Sequence, residues 1–427
     1  MNNLRSMLCA PLSRLAVSLG FVYSLCLSPL QHAIAAPKPP ENVGLHPSTV
    51  FNRSQYNPAI LILSFTDVKS ASAMQGVAGA SFLDITLITR QGEPVGRRVE
   101  VSTQQFQLQL RSLYAQIARQ ESLRVDDPLS PSRQLYQTFI APVAPELSRQ
   151  SVSTLLITAE RGLQAVPFAA LHDGQEFFGE RFAFSITPSL QLTSLSPPRR
   201  ERGDQLAAGA STFQGLAPLP LVPQELESLG GHQKVDRFLN QSFTPSVLLN
   251  QAADPQYERV HVATHAEFLP GGPSKSMLYS GTQPVPMDEF LRIRQRRQDK
   301  PLELFSLSAC RTALGDADSE LGFAGLALQA GARSAIGTLW YVDDVATSAF
   351  FIQFYRYLNT GYPKAEALKA TRIAMASGQI RLQGDQILGP DQRVLLKNLT
   401  VSQQRRVSAG MQNPFFWSGI ELLGTPW

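Results

Sequence analysis

Along the first third of the chain the apolar residues fall in short runs. Ala59 to Phe65 and Phe82 to Thr89 predict strands, and a third strand fits Val99 and Val101 beyond the turn Gln91-Gly92-Glu93-Pro94. Phe106, Leu108, Leu110, Leu113, Tyr114 and Ile117 then recur at helical spacing, which predicts a helix packed on that small sheet. A second helix fits Ser132 to Leu147, broken at Pro142 and Pro145, which lack the backbone donor a helix needs. Thr154 to Thr158 predicts a strand, Pro167 and Gly174 mark a loop crossing a sheet edge, and Phe182 to Ile186 predicts another strand.

Ser194 to Asp204 (SLSPPRRERGD) is the sharpest break in composition and reads as a solvated seam. A protease specific for basic residues could also cut it at Arg199 to Arg202. Beyond the seam, strand and helix alternate. Leu206 to Ala210 predicts a strand, Pro223 to Leu229 a helix, Lys234 to Phe238 a strand, and a helix starts at Thr244 with Ser242 or Thr244 as its cap. Val260 to Thr264 and Leu302 to Leu307 are apolar strands on either side of a long polar excursion. A small-residue helix, Leu321 to Ala330, leads to the strand Ser334 to Trp340. Asp343 or Asp344 opens a helix to Leu358, and Pro363 opens one through Met375. Ile380 to Met411 reads as a polar, irregular surface insertion, and the chain closes on an aromatic strand, Phe415 to Leu423. This alternation predicts an α/β fold with a mostly parallel sheet covered by helices on both faces, plus a smaller N-terminal α+β region.

Composition changes this picture at the N-terminus. Arg5 and Arg14 form a positive start, Leu15 to Leu27 an apolar core, and Ala33-Ile34-Ala35 a cleavage signature, so residues 1–35 read as a secretory signal peptide. The apolar run is short for a membrane span, so the expected product is a secreted or periplasmic protein with no stable membrane insertion. Residues 36–56, rich in Pro and Asn, read as a mobile lead-in. Cys9 and Cys26 leave with the signal, and Cys310 remains as the one thiol, unable to form an internal disulfide. With 427 residues, 17% charged and net +4, the chain is long enough for two modest domains or one large one, and its charge gives no argument for a nucleic-acid partner. No repeat is visible, and in particular no helical pairs at a period of about 34 residues.

The candidate chemistry lies where two strands end. Val260 to Thr264 leads into His265-Ala266, and Leu302 to Leu307 leads into Ser308-Ala309-Cys310. If the strands are parallel neighbours, imidazole and thiol emerge on one rim, where open α/β sheets hold ligands. A thiol is mostly protonated at neutral pH, so a cysteine nucleophile gains from an adjacent imidazole. The backbone N–H groups of Ala266 and Cys310 would be free to hold an oxyanion. Two acidic sets could line a pocket taking a basic side chain: Asp316, Asp318 and Glu320 after Cys310, and Asp343 and Asp344 after the next strand. Asp316, Asp318 and Asp343 are the candidates, with helix capping as the competing role for Asp318, Asp343 and Asp344. His261 and His265 stand four apart, but in a strand that separates them by about 13 Å, too far to share a metal. His261 therefore reads as a buried strand histidine. Gly322-Phe323-Ala324-Gly325 lacks phosphate-loop spacing and reads as close helix packing. Arg292, Arg294, Arg296, Arg297 and Lys300 read as a solvated basic face.

VATHAEF, LFSLSACRTALGDADSELGFAGLALQAGARSAIGTLW and the closing NPFFWSGIELLGTPW resemble the CHAT family of caspase-like proteins, in the clan of caspases, separase, clostripain and gingipains. LLITAERGLQAVPFAALHDG resembles the edge segment that precedes the catalytic half in that family. The His–Cys separation of about 45 residues is near the roughly 50 of caspases. The resemblance covers about 128–427 and implies a caspase-like domain there, with its catalytic half at about 203–427 and residues 57–127 as the N-terminal α+β region. It implies a His265/Cys310 dyad cleaving protein or peptide substrates, without metal or organic cofactor, although some relatives use calcium. The chain departs from the family in lacking N-terminal tetratricopeptide repeats and in having Ala266 where Gly often follows the histidine. A non-catalytic peptide-binding module on the same fold, and a thiol-dependent acyl transferase, fit the same residues.

Overall fold

The computed structural model describes residues 57–67, 81–160, 162–187, 189–193, 203–231, 233–267, 273–297, 300–309, 322–341 and 343–427. Eleven strands form one sheet: β1 (Pro58–Asp67), β2 (Ser81–Ile88), β3 (Val95–Val101), β4 (Thr154–Ala159), β5 (Ala183–Thr187), β6 (Asp204–Gly209), β7 (Val235–Leu239), β8 (Tyr257–Ala263), β9 (Leu304–Ser308), β10 (Ser334–Thr338) and β11 (Ile420–Gly424). Their spatial order is β3-β2-β1-β4-β5-β11-β10-β9-β8-β6-β7. Sequence character tracks position. The middle strands β5, β11, β10 and β9 are buried at every residue, as unbroken apolar runs require. At one edge β3 is largely exposed and carries Arg97, Arg98 and Glu100, charges that discourage further pairing.

Pairing within the sheet is antiparallel at β1·β2, β2·β3 and β10·β11, and parallel elsewhere. From β1 to β7 in spatial order the sheet is therefore two parallel blocks of opposite direction that meet at β10·β11, with β2 and β3 added antiparallel at the β1 edge. Parallel β1·β4 pairing makes the N-terminal strands continuous with the rest.

Eight helices matter here: α1 (Thr103–Ala118), α2 (Pro131–Phe139), α3 (Val222–Ser228), α4 (Leu291–Arg297), α5 (Gly322–Gln329), α6 (Asp344–Asn359), α7 (Lys364–Ala376) and α8 (Val401–Val407). Register shows that both faces are covered. Phe305 pairs with Val260, and the Phe290 ring just before α4 packs on Phe305 at 6.0 Å. On the opposite face Ser306 pairs with His261, and Tyr355 of α6 donates to Ser306 Oγ at 3.1 Å. Under α1 and α2, Phe65, Phe106, Phe139 and Phe168 form a chain of ring contacts.

Several elements differ from the sequence expectation. The helix expected from Ser132 to Leu147 stops at Phe139, and Pro142 and Pro145 sit at the openings of a 3-10 turn and a short helix, positions that need no donor. Beyond Thr244 the chain forms a π-helical turn, Val247–Gln251, without a side-chain cap, in place of a regular helix. Residues 380–411 are ordered: strands Arg381–Gln383, Gln386–Leu388 and Val394–Leu396 form a small sheet, followed by α8, with Ile387, Leu396 and Met411 fully buried. Apolar residues too sparse for a strand signature still anchor that segment. Phe415 and Phe416 lie in a 3-10 turn, and the closing strand begins only at Ile420. Arg297 is buried, donating to the carbonyls of Ala252, Asp254 and Tyr257, while its basic neighbours on α4 are exposed.

Candidate active site

Strands β8 and β9 are parallel neighbours, paired from Arg259·Leu304 to Ala263·Ser308. Both end on one rim, where Thr264 N–H donates to Ser308 O at 3.3 Å. The β9 end is tied to β10 by Thr338 Oγ1, which donates to Ala309 O at 2.8 Å. Two residues beyond the last rung on the β8 side stands His265, half-buried. Its Nε2 lies 2.8 Å from Ala217 O. A carbonyl only accepts, so Nε2 carries the proton and Nδ1 is the nitrogen left for proton transfer. The Phe213 ring packs on the imidazole at 4.7 Å.

Phe213 and Ala217 share a loop whose ends are closed by Leu219 N–H on Ser211 O, 2.9 Å. Asn240, at φ 53° just after β7, accepts from Ser211 N at 2.7 Å and holds that loop in place. Asparagine is among the residues that tolerate this left-handed backbone. The histidine's orientation thus depends on contacts reaching from the far edge of the sheet.

Ala266 begins a short strand, Ala266–Glu267, antiparallel to Met277–Tyr279. Tyr279 N–H donates to His265 O at 3.0 Å, which makes Ala266 the non-hydrogen-bonded partner of Leu278 and turns its N–H away from that strand. Ala266 is not among the described residues with positive φ, so alanine is unstrained there. Beside it, the Tyr279 hydroxyl donates to Glu267 Oε2 at 2.8 Å; burial and the Glu267 carboxylate push the phenol pKa up.

Cys310, Asp316, Asp318 and Glu320 lie outside the described residues, as do residues 1–56 and Arg199 to Arg202. Asp343 is placed as the N-cap of α6: Oδ1 accepts from Val345 N at 2.9 Å and Ala346 N at 3.2 Å, and Oδ2 meets Arg406 Nε at 2.6 Å. Its neighbour Asp344 also pairs with Arg406, and lines a cleft beside His265. The Asp344 carboxyl is held above its usual range, first by burial and then by the Asp343 charge, with Arg406 opposing.

That cleft has room of about 50 Å³ between Leu219, Leu221 and Val222 on one wall and His265 and Ala309 on another. Glu225, Thr347 and Ser348 also line it. Glu225 is 1% exposed. His261 Nε2 lies 2.9 Å from its Oε1, and Ser348 Oγ donates to its Oε2 at 2.6 Å. His261 is fully buried, edge-on to Phe351 and Tyr355. Sequence reasoning passed over Glu225, although the signal existed: a carboxylate set among Val222, Leu226 and Leu229, on the apolar stripe of a short helix. Among the described residues no group of His, Cys, Asp and Glu could hold a metal ion, and no helix is long and apolar enough to cross a membrane.

No curated protein matches the chain. Among solved structures, separase from Saccharomyces cerevisiae, crystallised with securin, aligns at 10% identity and a TM-score of 0.48, over 89% of this chain and 30% of the separase chain. The Arg-specific cysteine proteinase gingipain R aligns at 9% identity and a TM-score of 0.39, over 72% of this chain and 70% of its own. The chain therefore spans less than a third of the separase it resembles. The sequence model of the CHAT domain matches residues 129–425, from before β4 to the end of β11. This chain, built on a largely parallel sheet, belongs to the CHAT domain family.

Proposed function

We propose that the chain is an exported cysteine endopeptidase working through His265 and Cys310. One observation carries the reading: β8 and β9 are parallel neighbours whose last rung, Ala263·Ser308, is followed by equal counts of residues to His265 and Cys310. The fixed tautomer of His265 adds support, since Nδ1 is the nitrogen free to act as base. In this reading Nδ1 takes the thiol proton and the Cys310 sulfur adds to the scissile carbonyl. The N–H groups of Ala266 and Cys310 hold the developing oxyanion. As the C–N bond breaks, His265 returns the proton to the leaving amine, and water then releases the acyl group from sulfur. The substrate is a protein or peptide. The exported form would begin at Ala36.

The test compares alkylation of Cys310 by iodoacetamide, across a pH range, in the wild type and His265→Ala. An activated thiol should react well below the ordinary thiol range and lose that advantage with the histidine. Peptide cleavage should fall by roughly 10²–10⁴-fold in His265→Ala and vanish in Cys310→Ala, and the two losses should not add. A thiol titrating near about 8.5, indifferent to His265→Ala, would leave the chain as a peptide-binding module.

A further inference from the structure

We infer that the cleft beside His265 is a specificity pocket for a cationic side chain of the substrate, an ammonium or guanidinium received by Glu225 and Asp344. The inference rests on the peptidase reading and names the substrate class that the same site would select.

Three observations converge on it. First, Glu225 is a carboxylate at the cleft wall with one hydrogen bond on each oxygen, from His261 and from Ser348. Each oxygen can accept once more. Among the described residues no arginine or lysine pairs with Glu225, so its charge in a nearly dry site meets only His261 and the Ser348 hydroxyl. Second, Thr347 Oγ1 is a cleft-lining hydroxyl, on a residue 5% exposed, that has no hydrogen-bond partner among the described residues. A buried polar atom left unpaired is costly, and an entering donor would satisfy it. Third, the space fits. About 50 Å³ is several times the ~10–15 Å³ one water needs, enough for a terminal guanidinium or ammonium, with Leu219 and Val222 to flank the aliphatic stem.

Asp344 stands on the cleft beside these groups with Arg406 on its outer side. Burial raises its pKa, and an arriving cation would draw it back toward the charged form. Among the described residues, Glu225 and Asp344 are the acids that line the cleft, and Arg406 pairs with Asp344. Asp343 is occupied by the α6 cap, so Glu225 and Asp344 are the acids left to face a ligand.

The experiment uses the full chain and four peptide acyloxymethyl ketones that differ only in the residue next to the warhead: Arg, Lys, citrulline or Leu. Intact mass gives the rate of Cys310 modification for each. Arg or Lys should outpace citrulline and Leu by about tenfold or more, and the Arg-to-Lys ratio tells guanidinium from ammonium. Glu225→Gln should bring the Arg-to-citrulline ratio down toward one, and Asp344→Asn, which leaves the His261 contact intact, should lower it even if Glu225→Gln fails to fold. Equal rates across the four probes would overturn the pocket while leaving the peptidase reading in place. If none of the probes modifies a Cys310 that iodoacetamide still alkylates, the peptidase reading falls, and the pocket with it.

Discussion

Asp343 is where a helix cap and a substrate pocket make opposite demands, and Asp343→Ala tells them apart. As a cap, Asp343 satisfies two backbone donors at the start of α6, and losing such a cap costs about 1 kcal/mol. Its pair with Arg406, whose side chain is 42% exposed, is worth about 0.5 kcal/mol after screening by solvent. Together Asp343→Ala should cost about 1.5 kcal/mol. At ~2.1 cal/mol/K per residue, a folded unit of roughly 370 residues has an unfolding entropy near 0.8 kcal/mol/K, so Tm should fall by about 2 °C. Asparagine caps nearly as well as aspartate, so Asp343→Asn should lose only the ion-pair part, about 0.5 kcal/mol. Asp343→Ala in an Arg406→Gln background should cost about 1 kcal/mol, the cap alone. Calorimetry on the wild type and four variants, Asp343→Ala, Asp343→Asn, Arg406→Gln and the double variant, provides the comparison. Equal losses for Asp343→Asn and Asp343→Ala would refute the cap. So would an unchanged Tm accompanied by altered probe selectivity, which would return Asp343 to the pocket.

Two further predictions concern distant parts of the chain. Burial raises the Glu421 carboxyl to about 8, with the Arg372 charge opposing, so the folded chain holds an extra proton between the unfolded value of about 4.5 and about 8. That stability is full below the lower value and lost as pH rises through the upper one; the wild-type minus Glu421→Gln difference in unfolding free energy should fall between about pH 4.5 and about pH 8, and a flat difference would refute it. N-terminal sequencing of the exported protein should begin at Ala36, and recovery of Met1 in a membrane fraction would overturn export.

The parts of this structure legible in the sequence were those set by local periodicity. Val260 to Thr264 and Leu302 to Leu307 could be read as buried strands, and their pairing as parallel neighbours follows from the helices between successive strands. The Asp343 cap was legible because Asp-Asp precedes an apolar run. Contacts made by backbone atoms across long separations were not. Nothing in Phe213 to Leu219 announces that the carbonyl of Ala217 meets an imidazole 48 residues later, because any residue supplies a carbonyl. Glu225 was hidden for another reason: a surface glutamate and a buried one look alike until the helix is seated on the sheet. Residues 380–411 misled through sparse hydrophobicity, where three strands of three residues each are too short to show a period.

The reversal at β10·β11 also governs the order in which the molecule can be completed. Strand β11 lies between β5 and β10, and is made after both. Gly424 O accepts from Ser185 Oγ at 2.7 Å, Thr425 N donates to Arg333 O at 2.8 Å, and Ala365 N donates to Pro426 O at 2.8 Å, so residues 424–426 bind both halves. Until those residues emerge during synthesis, β5 and β10 each present an apolar edge with unmet backbone groups, the state most open to pairing with another chain. β10 is also the strand that fixes the end of β9 through Thr338. Closing the sheet between β5 and β10 therefore joins segments far apart in the chain, a step of high contact order with a correspondingly slow expected rate.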